Sequence, residues 1–115
     1  MRLLNMLKSK IHRATVTQAD LHYIGSIVIP QDLLERVNLL PNELVHVWNI
    51  DNGERFETYV IPGAPDSHDI IVNGAAAHHV KAGHKIIIAA FCLTDEPTPP
   101  AQILVDDQNR YVHDL

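Results

Sequence analysis

A small, mainly β barrel with short helices is the fold class this sequence predicts. Three observations carry it. Seven short runs rich in β-branched and aromatic residues are separated by turn signals. Only two segments read as helical, and both are short. No linker, repeat or low-complexity tract divides the 115 residues, so 1–115 is expected to form a single domain with a real core.

Strands are predicted first over 14–17 and 21–29. Pro30 suits the opening turn of a helix over 31–37, whose apolar face would be Leu33, Leu34 and Val37. Strands follow over 44–50 and 55–61. Between them Asp51-Asn52-Gly53 is a strong turn signal, because Asn and Gly tolerate positive φ. Pro62-Gly63-Ala64-Pro65-Asp66 reads as a loop. A strand over 70–72 leads to Asn73, a candidate N-cap for a second short helix through the alanines. The apolar run at 85–93 is a strand, 94–100 with its three prolines is a loop, and 103–105 is a last short strand. Many short strands with turns between them indicate a compact antiparallel or mixed barrel.

Composition narrows the function classes. Hydrophobic residues make up 46% and charged residues 20%, ordinary for a soluble globule. Net charge is −5 and the pI is about 5.8. No basic stripe is available to neutralise phosphates, which argues against nucleic acid as a partner. A local Arg or Lys can still bind an anionic substrate. The single cysteine, Cys92, excludes an internal disulfide and, in an apolar run, reads as a buried thiol. The apolar residues at 3, 4, 6 and 7 are interrupted at once by Lys8 and Lys10, too short for a signal h-region. No stretch approaches the ~18 apolar residues of a membrane span. A cytoplasmic enzyme is the expectation.

Gly25-Ser26 is the most informative pair. A glycine inside a strand-like run usually marks a bulge or a close backbone approach. Here it also leaves its carbonyl carbon open to the hydroxyl of the next residue, which permits an N→O acyl shift and self-cleavage. On the pair alone, a plain bulge or turn is by far the commoner reading. Its surroundings decide. Lys8-Ser9-Lys10-Ile11-His12-Arg13-Ala14-Thr15-Val16-Thr17, followed by Ala19-Asp20-Leu21-His22-Tyr23, leads up to it. Leu40-Pro41-Asn42-Glu43, Asn52-Gly53 with Arg55, Thr58-Tyr59, and Asn73-Gly74-Ala75-Ala76-Ala77-His78 follow in order. Together these segments resemble the bacterial pyruvoyl-dependent aspartate 1-decarboxylases, densely over about 3–93 and more loosely in the tail.

The resemblance implies a double-ψ β-barrel and a homotetramer with active sites between neighbouring subunits. It implies cleavage between Gly25 and Ser26 into chains 1–25 and 26–115, the second beginning with a pyruvoyl group made from Ser26. That cofactor answers a chemical need. Decarboxylating an α-amino acid requires an electron sink at Cα, which side chains lack and a carbonyl cofactor supplies. No phosphate-cradling glycine loop suggests pyridoxal phosphate instead. Whether cleavage is spontaneous or needs a maturation factor stays open.

Residue roles follow the same match. Thr58 would assist cleavage and lie near the substrate, its hydroxyl donating to a developing oxyanion, which can contribute about 3 kcal/mol. Tyr59 would deliver a proton to Cα after CO2 leaves, since a phenol is protonated at neutral pH. Arg55 suits the aspartate carboxylate, because its planar fork makes two parallel hydrogen bonds, and Lys10 would add a second positive charge. Asn73-Gly74-Ala75-Ala76 would form a substrate platform, small residues letting the backbone come close. On residue type alone each has a plain reading: packed strand threonine, core or interface tyrosine, solvated cations, ordinary turn. Trp48, Tyr23 and Ile88 read either as pocket lining or as core.

One tension is visible at this level. Arg55, Glu57 and Tyr59 share one strand face while Thr58 points to the other. Arg55 and Tyr59 would lie about 13 Å apart at 3.3 Å per residue, too far to meet one small substrate from a flat strand. Eight histidines raise the question of a metal, but no HExxH or Cys-His spacing appears, and no metal site is expected. The segment 63–69 departs from the resemblance: many relatives carry Arg-Gly-Ser-Gly where this chain has Pro65-Asp66-Ser67-His68. The leading expectation is L-aspartate to β-alanine and CO2, in pantothenate and coenzyme A synthesis. Alternatives are a pyruvoyl decarboxylase for another acidic amino acid such as glutamate, and a non-catalytic β-barrel that never cleaves.

Overall fold

The computed structural model describes residues 1–115. Nine strands form one continuous hydrogen-bonded sheet: β1 Leu4–Thr15, β2 Gln18–Asp20, β3 Ser26–Ile29, β4 Leu44–Asn49, β5 Arg55–Pro62, β6 Ile71–Asn73, β7 Lys85–Thr94, β8 Ala101–Val105 and β9 Tyr111–Asp114. Their order is β2-β6-β3-β5-β4-β7-β1-β8-β9. Three pairs are parallel (β1 with β8, β2 with β6, β3 with β5) and the other five are antiparallel. Such parallel neighbours need crossing connections, which fits the expected double-ψ barrel. The mainly β, small-barrel class is borne out.

The core is aliphatic. Ile11, Ile27, Ile29, Val45, Val47, Val60, Val72, Ile86, Ile88 and Ile103 are buried with almost no exposure, each at an inward position of its strand. One helix, α1 Gln31–Val37, closes over this core through Leu33, Leu34 and Val37, the three residues expected. Pro30 sits at its N-cap and donates no N–H; its carbonyl accepts from Leu33 and Leu34. Asn38 ends the helix in the left-handed region at φ 60°.

Several expectations need correction. The strand expected over 21–29 begins only at Ser26, and 21–25 is a turn. Leu21, His22, Tyr23 and Ile24 are all exposed, so no buried face rewards an extended run. Asp20 Oδ1 accepts from His22 N at 3.0 Å and bends the chain there. Of the strand expected at 14–17, Ala14 and Thr15 end the much longer β1 while Val16 and Thr17 lie between β1 and β2, and β9 was not expected at all. The alanine segment Gly74–His79 is a 3₁₀ helix, and Asn73 gives it no side-chain cap. Cys92 is only half-buried. The Asn52-Gly53 turn is as expected: Gly53 has φ +76° and its N–H bonds Asn49 O at 2.9 Å. The divergent segment is held by the tail, where Asn109 Nδ2 donates to His68 O at 2.9 Å.

Candidate active site

The Gly25–Ser26 peptide lies at the entrance to β3, with β6 on one side and β5 on the other. Ser26 pairs with Asn73 of β6. Across β5, Ile27 pairs with Val60, so one step back along both parallel strands sets Tyr59 beside Ser26. Ile27 and Val60 point into the core, which turns Ser26, Asn73 and Tyr59 to the opposite face. The three form a row across adjacent strands, each step ~4.8 Å. Thr58 precedes Tyr59 on β5 and faces the other way. Its cross-strand partner is the buried Val45. Ser26 is buried and Tyr59 borders solvent.

Gly74 packs against Gly25, the residue before the candidate cut. Its φ is +75°, a region glycine enters freely. A Cβ there would lie 2.5 Å from Gly25 Cα and 2.8 Å from Gly25 N. Only a glycine allows this approach, so the cradle fits a Gly-Ser bond held tightly from behind. Beside it a cavity of about 280 Å³ is lined by Gln18, Asp20, Tyr23, Val28, Ile71 and Asn73. Ala75 and Ala76 follow at the start of the 3₁₀ helix, Ala75 exposed and Ala76 half-buried.

The two candidate cations stand elsewhere. Arg55 is four residues up β5 from Tyr59, about 13 Å along the strand. Its guanidinium lies 5.1 Å from the centre of the Trp48 ring, a cation–π arrangement. Lys10 is reached by following the register from Glu57 to His46 to Ala89 to Lys10, three strands away. Arg55 opens onto a groove of about 460 Å³ with Asn5, His46, Trp48, Glu57 and Phe91. The candidate residues of one chain therefore fall into separate groups, one around Ser26 and one around Arg55. The alternation of Arg55, Glu57 and Tyr59 against Thr58 is as expected.

Asn5, His46, Glu57 and Phe91 were not singled out in the sequence. Glu57 alone carried a signal, through its shared face with Arg55; it lies 3.7 Å from His46 Nδ1. His46 meets Phe91 edge-on at 5.3 Å. Of the three either-way residues, Ile88 is core, Trp48 lines the groove, and Tyr23, exposed, lines the cavity beside Gly74. His12 has a buried Nδ1 with no hydrogen-bond partner. Burial first, and then the positive charges of Lys10 and Arg13, hold its pKa below the usual histidine range. The eight histidines stay dispersed, and no three His, Cys, Asp or Glu side chains gather as metal ligands.

Comparison with known proteins agrees with this architecture. Residues 2–112 match the family described as Aspartate decarboxylase. The aspartate 1-decarboxylase of Caldicellulosiruptor saccharolyticus is 53% identical over 114 residues, covering 96% of this chain and 89% of the relative. That of Legionella pneumophila is 56% identical over 112 residues, covering 91% and 82%. That of Clostridium acetobutylicum is 54% identical over 110 residues, covering 92% and 87%. Fold and likeness together define a small β-barrel lyase of the decarboxylase class. The chain belongs to the aspartate decarboxylase family.

Proposed function

We propose that this chain converts L-aspartate to β-alanine and CO2, the step that supplies pantothenate and coenzyme A synthesis. The observation that carries the reading, beside family membership, is the Asn73–Ser26–Tyr59 row with Gly74 packed against Gly25. Ser26 Oγ attacks the Gly25 carbonyl carbon and the C–N bond breaks, leaving an ester and a free amine. Elimination releases the Gly25 carboxylate, and hydrolysis of the dehydroalanine releases ammonia. Thr58 donates to the oxygen that gains charge in the first step, the role the family resemblance implies for it. The products are chains 1–25 and 26–115. The pyruvoyl group at position 26 supplies the electron sink that decarboxylation requires.

The chain's own residues do the rest. Gly74, Ala75 and Ala76 let the substrate approach the backbone, and Asn73 flanks it. Tyr59 delivers the proton that replaces CO2 at Cα. Arg55 and Lys10 hold carboxylate. Both stand too far from Ser26 of their own chain, so we read the active site as shared between subunits of a homo-oligomer, a tetramer as in the resembled family. No helix is long and apolar enough to cross a membrane, and we read the enzyme as cytoplasmic. A maturation factor remains compatible with this scheme.

Denaturing mass spectrometry of the purified protein tests the reading. Two fragments split between Gly25 and Ser26 are expected, the larger blocked to Edman sequencing. Intact chain after prolonged warm incubation would remove unassisted cleavage, and repeating it with cell extract tests the assisted route. Side-by-side turnover of aspartate and glutamate settles the substrate, with aspartate expected to be preferred. Tyr59→Phe keeps the ring and removes the donor. It is expected to mature normally and to decarboxylate about a hundredfold more slowly, the range for losing a general acid. Turnover near that of the parent would move the proton donor elsewhere.

A further inference from the structure

The pairing of β1 with β7 slips between Leu7 and Ser9, which makes Lys8 the extra residue of a bulge. Bulges re-aim side chains and recur next to active sites. This one sends Lys8 across to the far end of α1. Lys8 Nζ donates to the carbonyl of Asn38 and lies 3.0 and 3.3 Å from the two carboxylate oxygens of Glu43. It also bonds Ser9 Oγ at 3.0 Å, and Ser9 Oγ in turn bonds Val37 O. Glu43 Oε1 accepts from Leu40 N at 3.0 Å, so the pair closes the turn 40–43 from both sides. Lys8 and Glu43 are 28% and 22% exposed, more sheltered than an ordinary surface pair.

The turn that they close grips β5 at one residue. Val60 N donates to Glu43 O at 3.1 Å, and Val60 O accepts from Asn42 N at 2.8 Å. Val60 follows Tyr59 in the chain and pairs with Ile27, which follows Ser26. Displacing Val60 therefore displaces Tyr59 relative to Ser26. The pair also spans the proposed cut: Lys8 belongs to 1–25, while Asn38 and Glu43 belong to 26–115.

We propose that Lys8 and Glu43 are positioning residues, a clamp that acts through Val60 to hold Tyr59 in register with Ser26. This rests on the function proposed above. Neither side chain touches the Ser26 row, so the clamp changes rates through geometry. Misplacement of about an ångström is enough to cost up to a hundredfold in rate.

The test compares Lys8→Met, which keeps the aliphatic stem, with Glu43→Gln, which keeps the acceptor for Leu40 N. Lys8→Arg and the exchange Lys8→Glu with Glu43→Lys are the rescue variants. Three quantities are read: cleavage rate by mass spectrometry, kcat and KM of the processed enzyme well below its Tm, and hydrogen exchange at the Val60 amide. Lys8→Met and Glu43→Gln are expected to lower kcat about tenfold. KM should stay within about twofold, with faster exchange at Val60. Lys8→Arg is expected to restore both. If Lys8→Met does not fold, Glu43→Gln decides alone. A lower Tm with unchanged kcat, cleavage rate and Val60 exchange would overturn the clamp and leave a structural tie. If the parent protein neither cleaves nor decarboxylates, the proposed function falls, while Val60 exchange still reports on the clamp.

Discussion

Ser26→Ala is expected to leave the chain at full length and without decarboxylation above background. No other nucleophile is placed to replace Oγ: the flanking Asn73 and Tyr59 sit on neighbouring strands, and the Gly25 carbonyl needs attack from its own chain neighbour. The fold should survive, because alanine keeps the Cβ of a buried strand position and removes one hydroxyl. Gly74→Ala separates chemistry from geometry. It keeps Ser26 Oγ but places a methyl 2.5 Å from Gly25 Cα and 2.8 Å from Gly25 N, at a φ of +75°. Both obstacles are backbone, so the backbone at Gly25 or Gly74 must shift, which disturbs the approach of Ser26 to the Gly25 carbonyl. Cleavage is expected to slow by about a hundredfold or more, the cost of misaligned reacting atoms. Denaturing mass spectra over time, with circular dichroism as the folding control, read both variants. A cleaved, active Ser26→Ala chain would end the serine-derived cofactor. Gly74→Ala cleaving at the parent rate would show that close packing behind the bond is irrelevant to cleavage.

The local features were legible because local chemistry decides them. Leu33, Leu34 and Val37 bury as their helical spacing requires, Asn52-Gly53 turns because it accepts positive φ, and Arg55, Glu57 and Tyr59 share a face because strands alternate. What escaped was set at a distance. The composition of Leu21-His22-Tyr23-Ile24 favours a strand, yet no neighbour covers that segment, and β propensity counts only against a packed surface. The long β1 is hidden by its own bulges, at Lys8 and again between Ile11 and Ala14, where Arg13 has φ 65°. Each bulge resets the alternation that would reveal a strand. β9 is an edge strand with three of its four residues exposed, so it carries no period-two signal. The groove around Arg55 draws on β1, β4, β5 and β7, and only their pairing register brings Asn5, His46 and Phe91 to it. The resemblance supplied the names of Ser26, Thr58, Tyr59 and Asn73; the register shows why three of them stand in one row.

Two inactive variants are expected to recover activity when made together, which is the sharpest consequence of the divided site. One partner carries Ser26→Ala and keeps Arg55. The other carries Arg55→Ala and supplies the cofactor. Within one chain, Arg55 lies about 13 Å from the Ser26 row along β5, and its guanidinium is turned toward Trp48 and the groove. Lys10 is three strands further round the same outer surface. If a neighbouring subunit closes the site, its Arg55 meets the first subunit's Ser26. Co-expressed mixed oligomers then contain sites with an intact Arg55 from one variant and an intact Ser26 from the other. A closed symmetric assembly presents the same surface on every copy, so a statistical fraction of sites is restored. Partial activity in the mixture, absent from either variant alone, is the expected result. No recovery in oligomers shown by mass spectrometry to contain both chains would place Arg55 in its own subunit's site. A monomer with full specific activity would remove the shared site altogether.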